Sequence, residues 1–226
     1  MRVTGIDACR SGWVAVTLTS TLTFALTSSL DVEIAVAPDL NGLRLAGMVG
    51  IDMPLGLLAD GWRTADVLAR RALGRRGSCV FAIPPRLIWA ETAYADANRR
   101  CRELTGRGLS AQAWGLRAKL LEADRYRRAS AHPLHEIHPE LAFAAMAGAP
   151  LPDSKHSAAG LTARTGLLTM AGITLPEARP RGVGHDDLLD AAAVAWSARR
   201  IAAGTAEILS DPAQRADDGT EIAIAY

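Results

Sequence analysis

The run Val3-Thr4-Gly5-Ile6-Asp7-Ala8-Cys9 constrains this chain more than any other stretch: it is short, carries β-branched residues and delivers a carboxylate near its end. A first strand that follows directly on Met1 and Arg2 is expected inside a sheet, where an ionised carboxylate is strongly disfavoured unless paired or metal-bound. Asp7 is therefore a site candidate. The competing reading is that the strand stops at Ile6 and Asp7 accepts backbone N–H groups in the turn before Trp13.

The segment CRSG supplies a tight connection with Gly12 free to turn, and WVAVTLT (13–19) then alternates as a second strand. Ser20 and Thr21 lead into LTFALTSS (22–29), so the opening predicts a three-strand antiparallel meander over 3–28, followed by a helix over 32–37 capped by Asp31. The apolar run 48–51 reads as a buried strand that again ends in an aspartate, Asp52, with Pro54 and Gly56 shaping the loop beyond it. Two strands thus bring carboxylates to the same end; the alternative for Asp52 is a turn former ahead of proline.

Residues 63–128 hold 15 basic and 6 acidic residues, a balance of +9 that leaves −8 for the remainder of a chain whose net charge is +1. This stretch lacks strand periodicity apart from SCVFAI and predicts helices over 64–73, 89–104 and 111–129. Breaks at Gly74, Gly77, Pro84-Pro85 and TGRGLS put Arg75, Arg76, Arg86 and Arg107 in or beside loops, and Arg10 lies in the CRSG turn; loop arginines beside Gly and Ser suit phosphate contacts. For any single arginine the competing reading is a solvated surface. Trp89, Tyr94, Trp114 and Tyr126 are scattered at helical positions and read as packing residues.

Further along, a strand over 134–138 carries Glu136 and runs into a helix opened by Pro139 and Glu140, and a helix over 155–170 starts at Lys155. His135 and His138 have no metal spacing with another His or Cys. The pattern GVGHDDLLDAAAVAWSARRIAAG (182–204) is a helix with an acidic first turn, an alanine-rich body and Arg199-Arg200 in its last turn. Asp187 and Asp190, three apart, share one face; Asp186 fits a simple dipole role.

With 49% hydrophobic residues in 226, the chain has enough apolar content for one large domain or a core domain with a sizeable insertion. Three scattered cysteines, Cys9, Cys79 and Cys101, imply a reducing cytoplasm, and no apolar run is long enough to span a membrane. The oligomeric state stays open, a homodimer included.

The order of strands, acids and late helix resembles the RNase H fold, and HDDLLDAAAVAW is similar to the ending of RuvC-type resolvases, with two aspartates three apart. More closely, GIDACRSGW, IDMPLGL, SCVFAIPPR, ELTGRGLSAQAW, EIHPELAF with SKHSAAG, and HDDLLDAAAVAW resemble a domain-of-unknown-function family described as predicted RNase H-like nucleases. Ala8 and Ser11 stand where that family has glycines, and His156 where it usually has a lysine. The resemblance implies an α/β, RNase H-like domain spanning 1–226. Its five-stranded mixed sheet has three antiparallel strands followed by two parallel ones, flanked by helices, with a helical basic insertion at about 57–131.

Clustered carboxylates need cations, and oxygen-only ligands select Mg2+ or Mn2+. Two such ions would serve phosphodiester cleavage, with Asp7 bridging them, Asp52 and Asp187 each holding one, and Asp190 or Glu136 completing a shell. Lys155 or insertion arginines would steady the scissile phosphate. The implied partner is nucleic acid, contacted by Arg10, Arg75, Arg76, Arg86 and Arg107. The alternative is a non-catalytic nucleic-acid-binding or scaffold protein on the same fold. An actin-like phosphotransferase would need two core domains, and the chain has space for one.

Overall fold

The computed structural model describes residues 1–22, 28–130 and 132–226. In chain order its elements are strands β1 (Arg2–Cys9), β2 (Gly12–Leu22), β3 (Ser28–Ala37) and β4 (Met48–Ile51); helices α1 (Thr64–Leu73), α2 (Tyr94–Thr105), α3 (Ala111–Gly115) and α4 (Arg117–Ala129); then β5 (Leu134–Glu136), α5 (Pro139–Ala147), α6 (Ala158–Met170), α7 (His185–Ala202), β6 (Ile208–Arg215) and β7 (Glu221–Ala225). They group into two compact units. One comprises Met1–Met53, Ser130–Glu207 and Ala225–Tyr226, the other Pro54–Ala129 and Ile208–Ile224.

The first unit holds a five-stranded mixed sheet in the order β3-β2-β1-β4-β5. The β1–β2 and β2–β3 pairs are antiparallel, and the β1–β4 and β4–β5 pairs are parallel. Gly12 makes the first hairpin possible: its φ is +129°, and a Cβ there would lie 2.2 Å from the Ala37 carbonyl oxygen. Alternation then sorts the residues between two faces. Val3 and Gly5 of β1, Val14, Val16 and Leu18 of β2, and Gly50 of β4 share the face on which α7 packs, with Val32, Ile34 and Val36 of β3 at its margin. Ile6, Ile51 and Glu136 are in one row across β1, β4 and β5 on the opposite face.

The alanine-rich helix α7 fits that face because the strands beneath it are flattened by two glycines. A Cβ on Gly5 would come within 2.1 Å of the Ala195 nitrogen and 2.2 Å of the Ala191 carbonyl oxygen, and one on Gly50 within 2.9 Å of Val194 Cγ1 of the same helix and 2.3 Å of Ile137 Cδ1. Ala191, Ala192, Ala195 and Ala198 are fully buried in the resulting core together with Phe143, Leu168, Leu188 and Leu189.

Residues 32–37, expected to be helical, are strand instead. Val32, Ile34 and Val36 alternate with Asp31, Glu33 and Ala35, and pairing Val16 with Ile34 turns the apolar set toward the core and leaves Asp31, Glu33 and Ala35 exposed. Of the strand expected over 22–29, residues 23–27 lie outside the described residues. The helix expected over 89–104 starts only at Tyr94, because 86–90 form a separate 3-10 turn. The one expected over 111–129 is broken near Gly115 into α3 and α4. SCVFAI forms no strand.

The second unit contains α1 to α4 and the two-stranded pair β6–β7, a hairpin beyond the elements expected from the sequence. Trp89 is buried, stacks on Trp114 at 6.3 Å between centroids, and donates its indole N–H to the Pro84 carbonyl, which makes it a packing residue as expected. Asp124 of α4 is gripped by Arg86, Arg127 and Arg128, and the same arginines reach Asp217 and Asp218 of the turn joining β6 to β7. Among the described residues no helix is long and apolar enough to cross a membrane.

Candidate functional site

Three of the predicted acids converge in the first unit. Asp7 lies near the C-terminal end of β1, and Asp52 follows β4 directly; its N–H, bonded to the Ile6 carbonyl at 2.8 Å, continues the parallel ladder and keeps the two residues side by side. Asp190 comes from the second turn of α7, held over the strands by the Gly5 and Gly50 contacts. One carboxylate oxygen from each of Asp7, Asp52 and Asp190 lies within 4.8 Å of the others. At an effective dielectric of about 20, two unit charges at that separation repel by roughly 3 kcal/mol, so all three cannot ionise without a nearby cation.

Lys155 supplies one positive charge. Its Nζ donates to Asp190 Oδ2 at 2.5 Å, and Asp186 Oδ2 is 4.0 Å away. It projects from the turn before α6, and a buried pair braces that turn. Arg164, fully buried, donates to Glu140 Oε1 at 2.6 Å and to the carbonyls of Asp153 and Gly160 on either side of Lys155. Glu140, in the first turn of α5, suits the helix dipole, but its pairing with Arg164 is not legible in the sequence, because the two residues are 24 apart and share no local pattern.

One lysine does not balance three aspartates. Burial, then Asp52 and Asp190, raise the Asp7 carboxyl well above the usual range, with Lys155 opposing. Burial pushes Asp52 up to about 7 against the pull of Lys155, and Asp190 to about 6. Burial disfavours the charged Lys155, yet Asp190, Asp52 and Asp7 together hold its ammonium above its ordinary value. Asp190 Oδ1 is buried with no hydrogen-bond partner among the described residues. A buried, unpartnered carboxylate oxygen beside two more carboxylates is a donor set of hard oxygens, and it fits a divalent cation.

Asp187 is placed differently from Asp190. It is half-buried, and its Oδ2 accepts the Gly184 N–H at 2.9 Å in a capping arrangement at the start of α7. It lies close enough to raise Asp7 but outside the three-aspartate cluster. Glu136 does not join the acids. It pairs in register with Ile51, in the row facing away from α7, so strand alternation turns it from the side that Asp7, Asp52 and Asp190 share. Asp7 does accept a local N–H, from Ala8 at 2.6 Å, as the turn reading required; it does so from inside the cluster.

Arg10, in the β1–β2 turn, is exposed. In the second unit Arg75 and Arg107 are exposed, and Arg76 is half-buried in the turn after α1. Arg86 is not a free phosphate contact: its guanidinium is engaged by Asp124 at 2.8 Å and Asp217 at 2.7 Å.

Residues 5–215 match a family model described as "Protein of unknown function (DUF429)". The search of curated proteins found no match. Among solved structures, one described as the Thermus thermophilus RuvC structure aligns over 91% of this chain and 98% of that chain, at 17% identity and a TM-score of 0.35.

Proposed function

The chain belongs to the DUF429 family, and we propose that it is a divalent-cation-dependent phosphodiesterase of nucleic acid on an RNase H-like fold. The single observation that carries this reading is the cluster of Asp7, Asp52 and Asp190 with the unpartnered Asp190 Oδ1. Those three residues would hold the metal, with Asp187 at the edge of the cluster. Magnesium or manganese bound there would neutralise the carboxylates and supply Lewis-acid stabilisation of a phosphodiester undergoing hydrolysis.

The chain's own residues do the positioning. The two parallel strand ends fix Asp7 and Asp52, α7 sets the height of Asp190, and the Glu140–Arg164 pair braces the turn that presents Lys155. Lys155 is the local donor to a phosphate oxygen once Asp190 is taken up by a cation. The +9 stretch 63–128, with exposed Arg75 and Arg107, is in this reading a basic insertion that contacts the polyanion. The three free cysteines accord with a cytoplasmic setting.

One observation favours a second reading, a nucleic-acid-binding protein without catalysis: the Lys155–Asp190 pair already places a cation in the cluster. The two readings separate in one experiment. Purified protein is titrated with manganese by calorimetry and then offered labelled single-stranded, duplex and junction DNA and RNA with manganese, magnesium or chelator. Metal binding with chelator-sensitive cleavage, lost in Asp190→Asn, supports the phosphodiesterase. Nucleic-acid binding without manganese binding or cleavage supports the alternative.

A further inference from the structure

A cavity of about 480 Å³ in the first unit is lined by Arg10, Ser11, Arg181 and Gly182. Two segments far apart in sequence make it, the β1–β2 turn and the loop that leads into α7. They are fastened together: Ser11 Oγ donates to the Arg181 carbonyl at 3.1 Å, and Gly182, at φ +80°, approaches so closely that a Cβ would lie 1.7 Å from Ser11 Oγ. Both segments belong to the end of the sheet that bears the aspartates. Arg10 is three residues beyond Asp7, and Gly182 is two residues before Gly184, whose N–H Asp187 caps.

The lining offers two guanidinium groups and a hydroxyl, and no carboxylate. Arg10 and Arg181 are both exposed, and among the described residues neither guanidinium has a hydrogen-bond or ion-pair partner, as is also true of Arg75 and Arg107; what sets this pair apart is that both line one cavity. Two arginines lining one cavity, neither engaged by an acid, suit recognition of a tetrahedral oxyanion, because each planar fork can give two parallel N–H bonds to phosphate oxygens.

We infer that Arg10 and Arg181 form a phosphate subsite beside the aspartate cluster, one that takes a phosphate of the substrate other than the one being cut. This rests on the proposed phosphodiesterase reading for its place in a reaction, though not for its anion chemistry. At about 480 Å³ the cavity is larger than a phosphate group. The bound group is either an internal phosphodiester of a strand or the terminal phosphate of a nucleotide.

The test uses the full chain and the double variant Arg10→Ala/Arg181→Ala, with Arg10→Lys/Arg181→Lys as a second variant. The probes are a fluorescein-labelled ten-residue oligodeoxythymidine and adenosine 5′-monophosphate, both with chelator present. The alanine variant is expected to lose about tenfold or more in oligonucleotide affinity and to flatten the salt dependence by about two phosphate contacts. Its manganese-induced melting shift should be unchanged. The lysine variant should recover the salt slope but not the full affinity, because it restores charge without the fork. Loss of affinity for the mononucleotide as well assigns the terminal phosphate; loss for the oligonucleotide alone assigns an internal one. Wild-type affinity and salt slope in the alanine variant overturn the subsite, even if the protein cleaves nucleic acid. Wild-type protein that binds neither probe overturns it too. Arginine-dependent binding in a protein that cleaves nothing sustains the subsite and sinks the phosphodiesterase reading alone.

Discussion

Two groups of three aspartates in this chain stand in opposite electrostatic conditions. In the first unit Asp7, Asp52 and Asp190 share a single lysine, and burial and mutual repulsion raise their carboxyls, Asp52 to about 7. In the second unit Asp124, Asp217 and Asp218 meet three arginines, and the outcome is reversed. Although burial pushes Asp124 and Asp218 up, bonds from Arg86, Arg127 and Arg128 hold Asp124 below the usual carboxylate range, and those from Arg127 and Thr220 do the same for Asp218. Acidic residues alone therefore do not mark a site. What distinguishes the first group is the deficit of positive charge among the described residues around it, which protonation or a bound cation would relieve.

The largest effect should come from the satisfied group. Asp124→Asn is expected to lower the unfolding free energy by about 3 kcal/mol, toward the low end for a broken buried pair because Arg86 and Arg128 remain partly exposed. Urea denaturation measures this. A loss below about 1 kcal/mol would mean that the arginine network is ornamental and the comparison fails on that side.

Acidity should separate the two groups next. Carboxyls raised in the folded state favour it fully below their unfolded value of 3.8, and that support is lost as pH climbs toward about 6 for Asp190 and about 7 for Asp52. The metal-free protein should therefore lose stability steadily between pH 4 and pH 7.5. Asp124 is lowered, so its support is present throughout that interval and falls away only under stronger acid. Lys155, held above its ordinary value, stays charged across it. Thermal melts over this range in chelator, for wild type and Asp52→Asn, give the answer. A wild-type curve that rises with pH, or an Asp52→Asn curve just as steep as wild type, would contradict the assignment of strain to the aspartate cluster.

The smallest shift carries the sharpest sign. Asp7→Asn should leave metal-free stability unchanged or raise it by about 1 kcal/mol, because it removes a repelled charge, while it abolishes manganese-induced stabilisation. Melting with and without manganese tests both halves. Equal manganese shifts in wild type and Asp7→Asn would remove Asp7 from the metal site.

Asp7 and Asp52 were legible because each closes a short apolar run, a pattern that depends only on neighbouring residues. Whether Asp187 or Asp190 reaches the cluster depends on how α7 is rotated on the sheet, and the three-residue spacing is the same for both. The alternation in Asp31-Val32-Glu33-Ile34-Ala35-Val36 competes with an N-cap signal at Asp31, and β3 shows that period-two patterning outweighs a single capping residue. The β6–β7 hairpin had a signal as well, in Asp218-Gly219 ahead of the alternating Glu221-Ile222-Ala223-Ile224. Pairings such as Glu140 with Arg164, or Arg86 with Asp217, join residues 24 and 131 apart, and only the fold brings them together.

The seat of α7 on Gly5 and Gly50 sets the mechanical tolerance of the aspartate cluster. A helix that rests on side chains can settle when those side chains change rotamer; one that rests on bare backbone has a hard stop. The height of Asp190 above the strand ends is gauged by two hydrogen atoms where other residues would carry carbon. That leaves no slack in the floor, so any retuning of the cluster has to come through its rim, from the turn bearing Lys155 or the capped start of α7.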